Sequence, residues 1–200
     1  MTGATVYIVD DDGIMRRTLA SLLEMEGYVA RTFASGEDFL RHEFPLEPSC
    51  LMLDLQMPGL PGTGVQEHLR ALQWHPPVVF MTAHGTVPVT AQAMKAGAID
   101  FLTKPLDPRT VLTAVSQALA VAGASLEQFH SVAAARQLIK SLTPREREVL
   151  QHVVSGKINK EIGNLLGTTE RTIKAHRSSI MRKLQAKSVA DLVRLADRAA

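Results

Sequence analysis

The stretch Cys50-Leu51-Met52-Leu53-Asp54-Leu55-Gln56-Met57-Pro58-Gly59 decides the fold. Four apolar residues in a row, then an acid, then a Pro-Gly turn, describe a short strand buried on both faces and ending in a carboxylate. Three other segments share this form. Val6-Tyr7-Ile8-Val9 runs into Asp10-Asp11-Asp12, Val78-Val79-Phe80-Met81 into Thr82-Ala83, and Phe101-Leu102-Thr103 into Lys104-Pro105. Sites in open α/β sheets form outside the carboxyl ends of the strands. An acid pair, an acid, a hydroxyl and an ammonium are therefore expected in one crevice, where they can hold a magnesium ion and a phosphoryl group.

Between these runs the pattern is helical. Strands are expected over Val6–Val9, Tyr28–Thr32, Leu51–Leu53, Val78–Met81 and Phe101–Thr103. Helices are expected over Gly13–Met25, Ser35–Phe44, Val65–Leu72, Val87–Ala96 and Pro108–Val121. Five βα units in this span predict a doubly wound, five-stranded parallel sheet. Gly97-Ala98 and Gly123-Ala124 read as helix ends. Residues 122–141, rich in alanine, read as a partly helical linker between a domain at 1–121 and another at 142–200.

The second domain is all helical. Thr143-Pro144-Arg145-Glu146 opens a helix with a capping box and a proline at the first helical position. Gly156 ends it, Asn159–Leu166 is short and closed by Gly167, Thr169 caps a basic helix to Leu184, and Ser188 caps a last helix to Asp197. A short helix, a glycine turn and a second helix form a helix-turn-helix. Ile173, Ile180 and Leu184 share one face and are expected in the core. His176 and Arg177 break that stripe, which turns Arg177 toward a phosphate or water. Lys174, Arg171, Ser178, Arg182 and Lys183 fall on other faces.

Charge divides the same way. Residues 1–120 hold 8 Lys and Arg against 13 Asp and Glu, a net of −5, and residues 121–200 hold 14 against 7, a net of +7. This suits an acidic module joined to one that binds nucleic acid. No apolar run reaches the ~18 residues of a membrane span, and no basic segment followed by an apolar stretch marks a secretory leader. The lone Cys50 forms no internal disulfide and reads as a packing residue. A cytoplasmic protein is expected.

At the first site, Asp11, Asp54 and the Gln56 main-chain carbonyl can supply oxygen ligands to magnesium, with Asp10 holding a ligand water. Asp54 is the nucleophile, Thr82 hydrogen-bonds one phosphoryl oxygen and Lys104 neutralises another.

Residues 1–121 resemble a response-regulator receiver domain, on Val9-Asp10-Asp11, Leu53 through Gly59, Thr82-Ala83 and Lys104-Pro105. The FixJ-like branch in particular resembles Thr82-Ala83-His84-Gly85 and Ala93 through Ala98. The resemblance implies phosphorylation of Asp54 by a sensor histidine kinase with magnesium (or manganese) at Asp10, Asp11, Asp54 and Gln56. It also implies a switch pair at Thr82 and Phe101 and a cis Lys104–Pro105 bond. The breakers Pro61-Gly62-Thr63-Gly64 depart from the family and are expected to loosen the start of the third helix. His84 beside the site could modulate access.

Leu142–Ala196 resembles the LuxR-type helix-turn-helix of the FixJ/NarL class, on Leu142 through Leu150, Asn159-Lys160-Glu161-Ile162 and Thr172 through Arg177. That likeness places Lys174, Ala175 and Ser178 near base edges of promoter DNA, and Lys160, Thr172, Arg177 and Arg182 near its backbone. Gly163 stands where the family usually has alanine and can allow closer packing. The whole implies a transcription regulator, not an enzyme. It would dimerise on phosphorylation through the face of the fourth expected helix and fifth strand (the surface Val87–Ala98 with Asp100 and neighbours, where Lys95 could pair with a carboxylate across the two-fold), and activate transcription through RNA polymerase.

Two other readings fit parts of the pattern. Haloacid-dehalogenase phosphatases also use an Asp nucleophile, a hydroxyl, a lysine and magnesium, but need an acid two residues after the nucleophile; Gln56 stands there. A receiver that no longer responds to phosphate would not need the intact set Asp10, Asp11, Asp54, Thr82 and Lys104.

Overall fold

In the computed structural model, residues 4–45, 47–71, 76–83, 94 and 97–199 are described. The chain divides into two compact units, Met1–Leu126 and Glu127–Ala200. In the first, strands β1 (Thr5–Val9), β2 (Val29–Phe33), β3 (Ser49–Asp54), β4 (Val78–Thr82) and β5 (Asp100–Thr103) form one sheet in the order β2-β1-β3-β4-β5. All four pairings are parallel. This is the flavodoxin-like order, whose switch point lies between β1 and β3.

The apolar runs are buried on both faces because helices cover both. Val6, Ile8, Cys50, Met52, Val79 and Met81 point to one face with α1 (Gly13–Met25) and the start of α4 (Pro108–Lys140). Tyr7, Val9, Leu51, Leu53 and Phe80 point to the other, with α2 (Gly36–Leu40) and α3 (Gly62–Ala71). Burial pushes the Cys50 thiol up to about 12, in keeping with a packing role.

Three helices differ from expectation. α2 is shorter than Ser35–Phe44: Ser35 caps it, yet it stops at Leu40. The rings of His42 and Phe44 instead fold back onto Tyr7, at centroid distances of 5.9 and 5.7 Å. Pro45 also disfavours a helical Phe44. α3 begins three residues early, at Gly62, so the breakers do not loosen it. A Cβ on Gly62 would lie 2.4 Å from the Asp54 carbonyl oxygen. Only glycine lets the helix start this close to β3.

α4 runs unbroken to Lys140, so Gly123-Ala124 sits inside a helix rather than at its end. Gly97 does take a positive φ of 85°. By length and composition alone α4 is long and apolar enough to cross a membrane, although polar residues such as Thr113, Ser116 and Gln117 interrupt it. Its early residues Val111, Ala114, Val115 and Ala118 are, however, buried in the sheet core. His84 and, Met94 apart, the helix expected at Val87–Ala96 with Lys95 lie outside the described residues.

The second unit holds α5 (Pro144–Val154), α6 (Asn159–Leu165), α7 (Glu170–Lys183) and α8 (Val189–Ala199). Thr143 and Glu146 form the expected capping box of α5. Thr169 caps α7 through the Thr172 amide. Gly156 and Gly167 take positive φ values of 83° and 63° at the helix ends. Ile173, Ile180 and Leu184 are core residues with Val149, Leu150, Val153, Ile162 and Leu192.

Candidate functional site

The parallel register brings four strand ends to one crevice. Asp10 follows β1 and is buried; its Oδ1 accepts the Asp12 amide at 2.8 Å. Asp54 closes β3 with 4% exposure, and its Oδ1 accepts the Gln56 amide at 3.1 Å. Thr82 closes β4 and is fully buried, and its carbonyl accepts the Lys104 amide at 2.7 Å. Lys104 follows β5 through to a cis bond with Pro105. Its Nζ donates to Asp54 Oδ2 at 2.6 Å and to Asp10 Oδ2 at 2.8 Å. Phe101 on β5 is half-buried against the core that holds Leu53 and Phe80.

Burial pushes the Asp10 carboxyl above its ordinary pKa, and the hydrogen bond from Lys104 only partly offsets this. Burial pulls the Lys104 ammonium down, but its hydrogen bonds to Asp10 and Asp54 outweigh that and leave its pKa raised. Pairing therefore favours the charged form of Lys104, while burial works against the charged form of Asp10, a cost that further positive charge would ease.

Asp10, Asp11 and Asp54 each offer an oxygen within 4.8 Å of the others. An all-oxygen carboxylate set fits a hard divalent cation rather than a soft one. Asp11 and Gln56 are exposed at the mouth. The arrangement can concentrate positive charge beside one carboxylate, which is most of what phosphoryl transfer asks of a protein.

Two residues that hold the acidic loop escaped the sequence reading. Asp12 caps α1 through the Ile14 and Met15 amides at 2.7 and 3.4 Å. Arg16 Nη1 donates to the Asp10 carbonyl at 2.6 Å. Asp12 was visible as an acid just before a helical pattern, the usual N-cap signal. The Arg16 contact had none.

In the second unit α7 presents Thr172, Lys174, Ala175, Ser178 and Arg182 to solvent, and α6 presents Lys160. The Thr172 hydroxyl meets that of Thr169 at 2.9 Å. Lys174 Nζ lies 3.2 Å from Glu170 one turn away. Arg177 is half-buried, and its Nη1 donates to Asn159 Oδ1 at 2.8 Å, tying α7 to α6. Part of its guanidinium therefore faces protein rather than phosphate or water.

Glu146, which sequence showed only as a helix cap, ties α5 to α7. At 4% exposure it accepts the Thr143 amide, Ser179 Oγ and Lys183 Nζ at 2.8, 2.8 and 2.7 Å. The hydrogen bond from the Lys183 ammonium, more than those from Thr143 and Ser179, holds the Glu146 carboxyl down at about 2. Lys183 belongs to this internal pair, not to the solvated basic face. Gly163 is buried, and a Cβ there would lie 2.9 Å from the Thr168 carbonyl oxygen, so α6 and the turn before α7 do pack closely.

The geometry agrees with comparisons to known proteins. Residues 6–116 match the response regulator receiver domain, and residues 140–196 match the luxR family of bacterial regulatory proteins. Nodulation protein W of Bradyrhizobium diazoefficiens is 39% identical over 196 residues, 98% of this chain and 86% of the relative. The transcriptional regulatory protein FixJ of Rhizobium meliloti is 38% identical over 199 residues, 98% of this chain and 96% of the relative. The solved structure of the response regulator StyR superimposes with a TM-score of 0.88 at 42% identity, covering 98% of this chain and 99% of that one. Full-length FixJ from B. japonicum gives 0.58 at 35% identity, covering 100% and 98%. The chain belongs to the FixJ-like response regulators, DNA-binding transcription regulators in which a receiver domain precedes a LuxR-type helix-turn-helix, and is not an enzyme.

Proposed function

We propose that Asp54 accepts a phosphoryl group from a sensor histidine kinase and that this drives homodimerisation, promoter binding and transcription activation through RNA polymerase. The observation that carries the reading is Lys104 Nζ, held between Asp54 and Asp10 at 2.6 and 2.8 Å. In the transfer an Asp54 carboxylate oxygen forms a bond to phosphorus as the bond to the donor histidine nitrogen breaks. Lys104 moves from its carboxylates to a phosphoryl oxygen, and the Thr82 hydroxyl donates to another. Asp10, Asp11, Asp54 and the Gln56 carbonyl would hold magnesium, or manganese, which supplies further charge neutralisation.

The acyl phosphate adds about −1.5 to −2 charges at one point. Thr82 turns toward it and Phe101 fills the space released, which remodels the β5 surface and the segment before it into the dimer face. Two recognition helices then meet two half-sites. Lys174, Ala175 and Ser178 approach base edges, while Lys160, Thr172 and Arg182 contact the backbone. Arg177 uses the donors that Asn159 leaves free. The protein acts in the cytoplasm, where kinase transmitter and promoter are both found.

Incubation with a small acyl-phosphate donor and magnesium, followed by intact mass and peptide mapping, tests the reading. A phospho-adduct on Asp54, lost in Asp54→Asn and on chelation of the metal, is expected. An adduct formed equally by Asp54→Asn would overturn it.

A further inference from the structure

The second unit carries a groove that neither the phosphoacceptor site nor the recognition helix uses. It lies between the end of α4, α5 and α8 and encloses a cavity of about 500 Å³. Its floor is apolar, with Ile139 from α4 and Leu150 and Val154 from α5. Its walls are basic. Arg136 and Lys140 stand one turn apart on α4, and Arg147 stands opposite on α5. Arg136 is fixed in place, donating from Nε to the Ala199 carbonyl at 3.0 Å. Among the described residues no carboxylate lines the groove, and neither Lys140 nor Arg147 forms an ion pair.

The groove is separate from the DNA face. On α5, Glu146, Val149 and Val153 are buried in the helix-turn-helix core, and Glu146 holds α7. Arg147, Gln151 and Val154 follow about a third of a turn around the same helix, at the 100° per residue of an α-helix. An occupant of the groove therefore need not displace DNA.

From this geometry we infer that the groove docks a short amphipathic helix of a protein partner, with an apolar ridge flanked on both sides by carboxylates. An apolar floor between helices is the seat that amphipathic helices use, anchored at i, i+3, i+4 and i+7. Nucleic acid does not fit it, because a phosphate backbone pairs with the basic walls but leaves the apolar floor wet. Lys140 on one wall and Arg147 on the other, in no ion pair among the described residues, select an acidic ridge over a neutral or basic one. The inference stands apart from phosphorylation of Asp54, since it is tested without a phosphodonor.

The test uses the full chain and fluorescein-labelled helical peptides with Leu at i, i+3, i+4 and i+7, flanked by Glu in one and by Lys in the other. Wild type is expected to bind the Glu peptide, with Lys140→Glu plus Arg147→Glu weakening it about tenfold or more and binding the Lys peptide instead. Both positions are exposed and outside the core, so the double variant is expected to fold, which a thermal melt checks. Its non-specific affinity for duplex DNA should be reduced far less than its affinity for the Glu peptide. Equal binding of both peptides, no loss in the double variant, or a groove closed by a second copy in sedimentation equilibrium would each overturn the inference.

Discussion

Asp10 and Lys104 show how burial and pairing compete at a single residue. Burial raises the Asp10 pKa, and one ammonium shared with Asp54 only partly restores its charge. Removing that ammonium leaves two carboxylates facing one another in the crevice proposed to receive a phosphoryl group. Lys104→Ala should slow phosphorylation by a small-molecule donor about 10²-fold, the scale of losing one preorganised charge donor. The same variant should bind divalent cations at least as tightly as wild type, because the carboxylates lose their internal partner. Stopped-flow phosphorylation and metal titration check the two halves. Gly62 gives a second expectation at this scale. With a Cβ 2.4 Å from the Asp54 carbonyl oxygen, Gly62→Ala should destabilise the receiver by about 1–3 kcal/mol, the usual cost of overpacking, read by denaturant unfolding.

At the scale of elements, the recognition helix is held by a pair that sequence hardly shows. Glu146 and Lys183 are 37 residues apart, and only the folded packing of α5 against α7 brings them to 2.7 Å. The Glu146 carboxyl sits at about 2 against an ordinary 4.5. A depressed carboxyl pKa adds stability above the unfolded value, and that stability is lost as pH falls through the folded one. The second unit should therefore weaken as pH drops from about 4.5 toward 2. Glu146→Gln should be less stable at neutral pH and should have a flatter acid limb. Asp191, also lowered to about 2 by Arg194 and its neighbours, keeps part of that limb. Hydrogen exchange of α7 amides across this range checks it. β1, β3, β4 and β5 were legible because apolar runs ended in polar residues, and the caps of α5 and α7 because their residue types match the geometry. The early stop of α2 was not, because it depends on His42 and Phe44 packing on Tyr7 of β1. The passage of α4 through Gly123 was not either, because an interior glycine costs only about 1 kcal/mol and neighbouring alanines offset it.

For the whole molecule, an acidic half and a basic half divide the work. The four strand-end motifs made the meeting of Asp10, Asp54, Thr82 and Lys104 legible, since parallel register brings strand ends together, but not the Arg16 contact to the Asp10 carbonyl. The proposed DNA face was readable as an exposed set, but not in the loss of Lys183 to Glu146 or of part of Arg177 to Asn159. Promoter affinity should fall linearly with salt on a log–log plot. Lys174→Ala and Arg182→Ala should each weaken binding, with the slope reduced by about one for a residue that contacts phosphate. The central claim is that phosphate on Asp54 gates DNA binding, and selection of genomic fragments with and without an acyl-phosphate donor and magnesium tests it most directly. The account predicts distinct fragments enriched by wild type only with donor, and none by Asp54→Asn under either condition. Enrichment of the same fragments without donor, or by donor-treated Asp54→Asn, would contradict it.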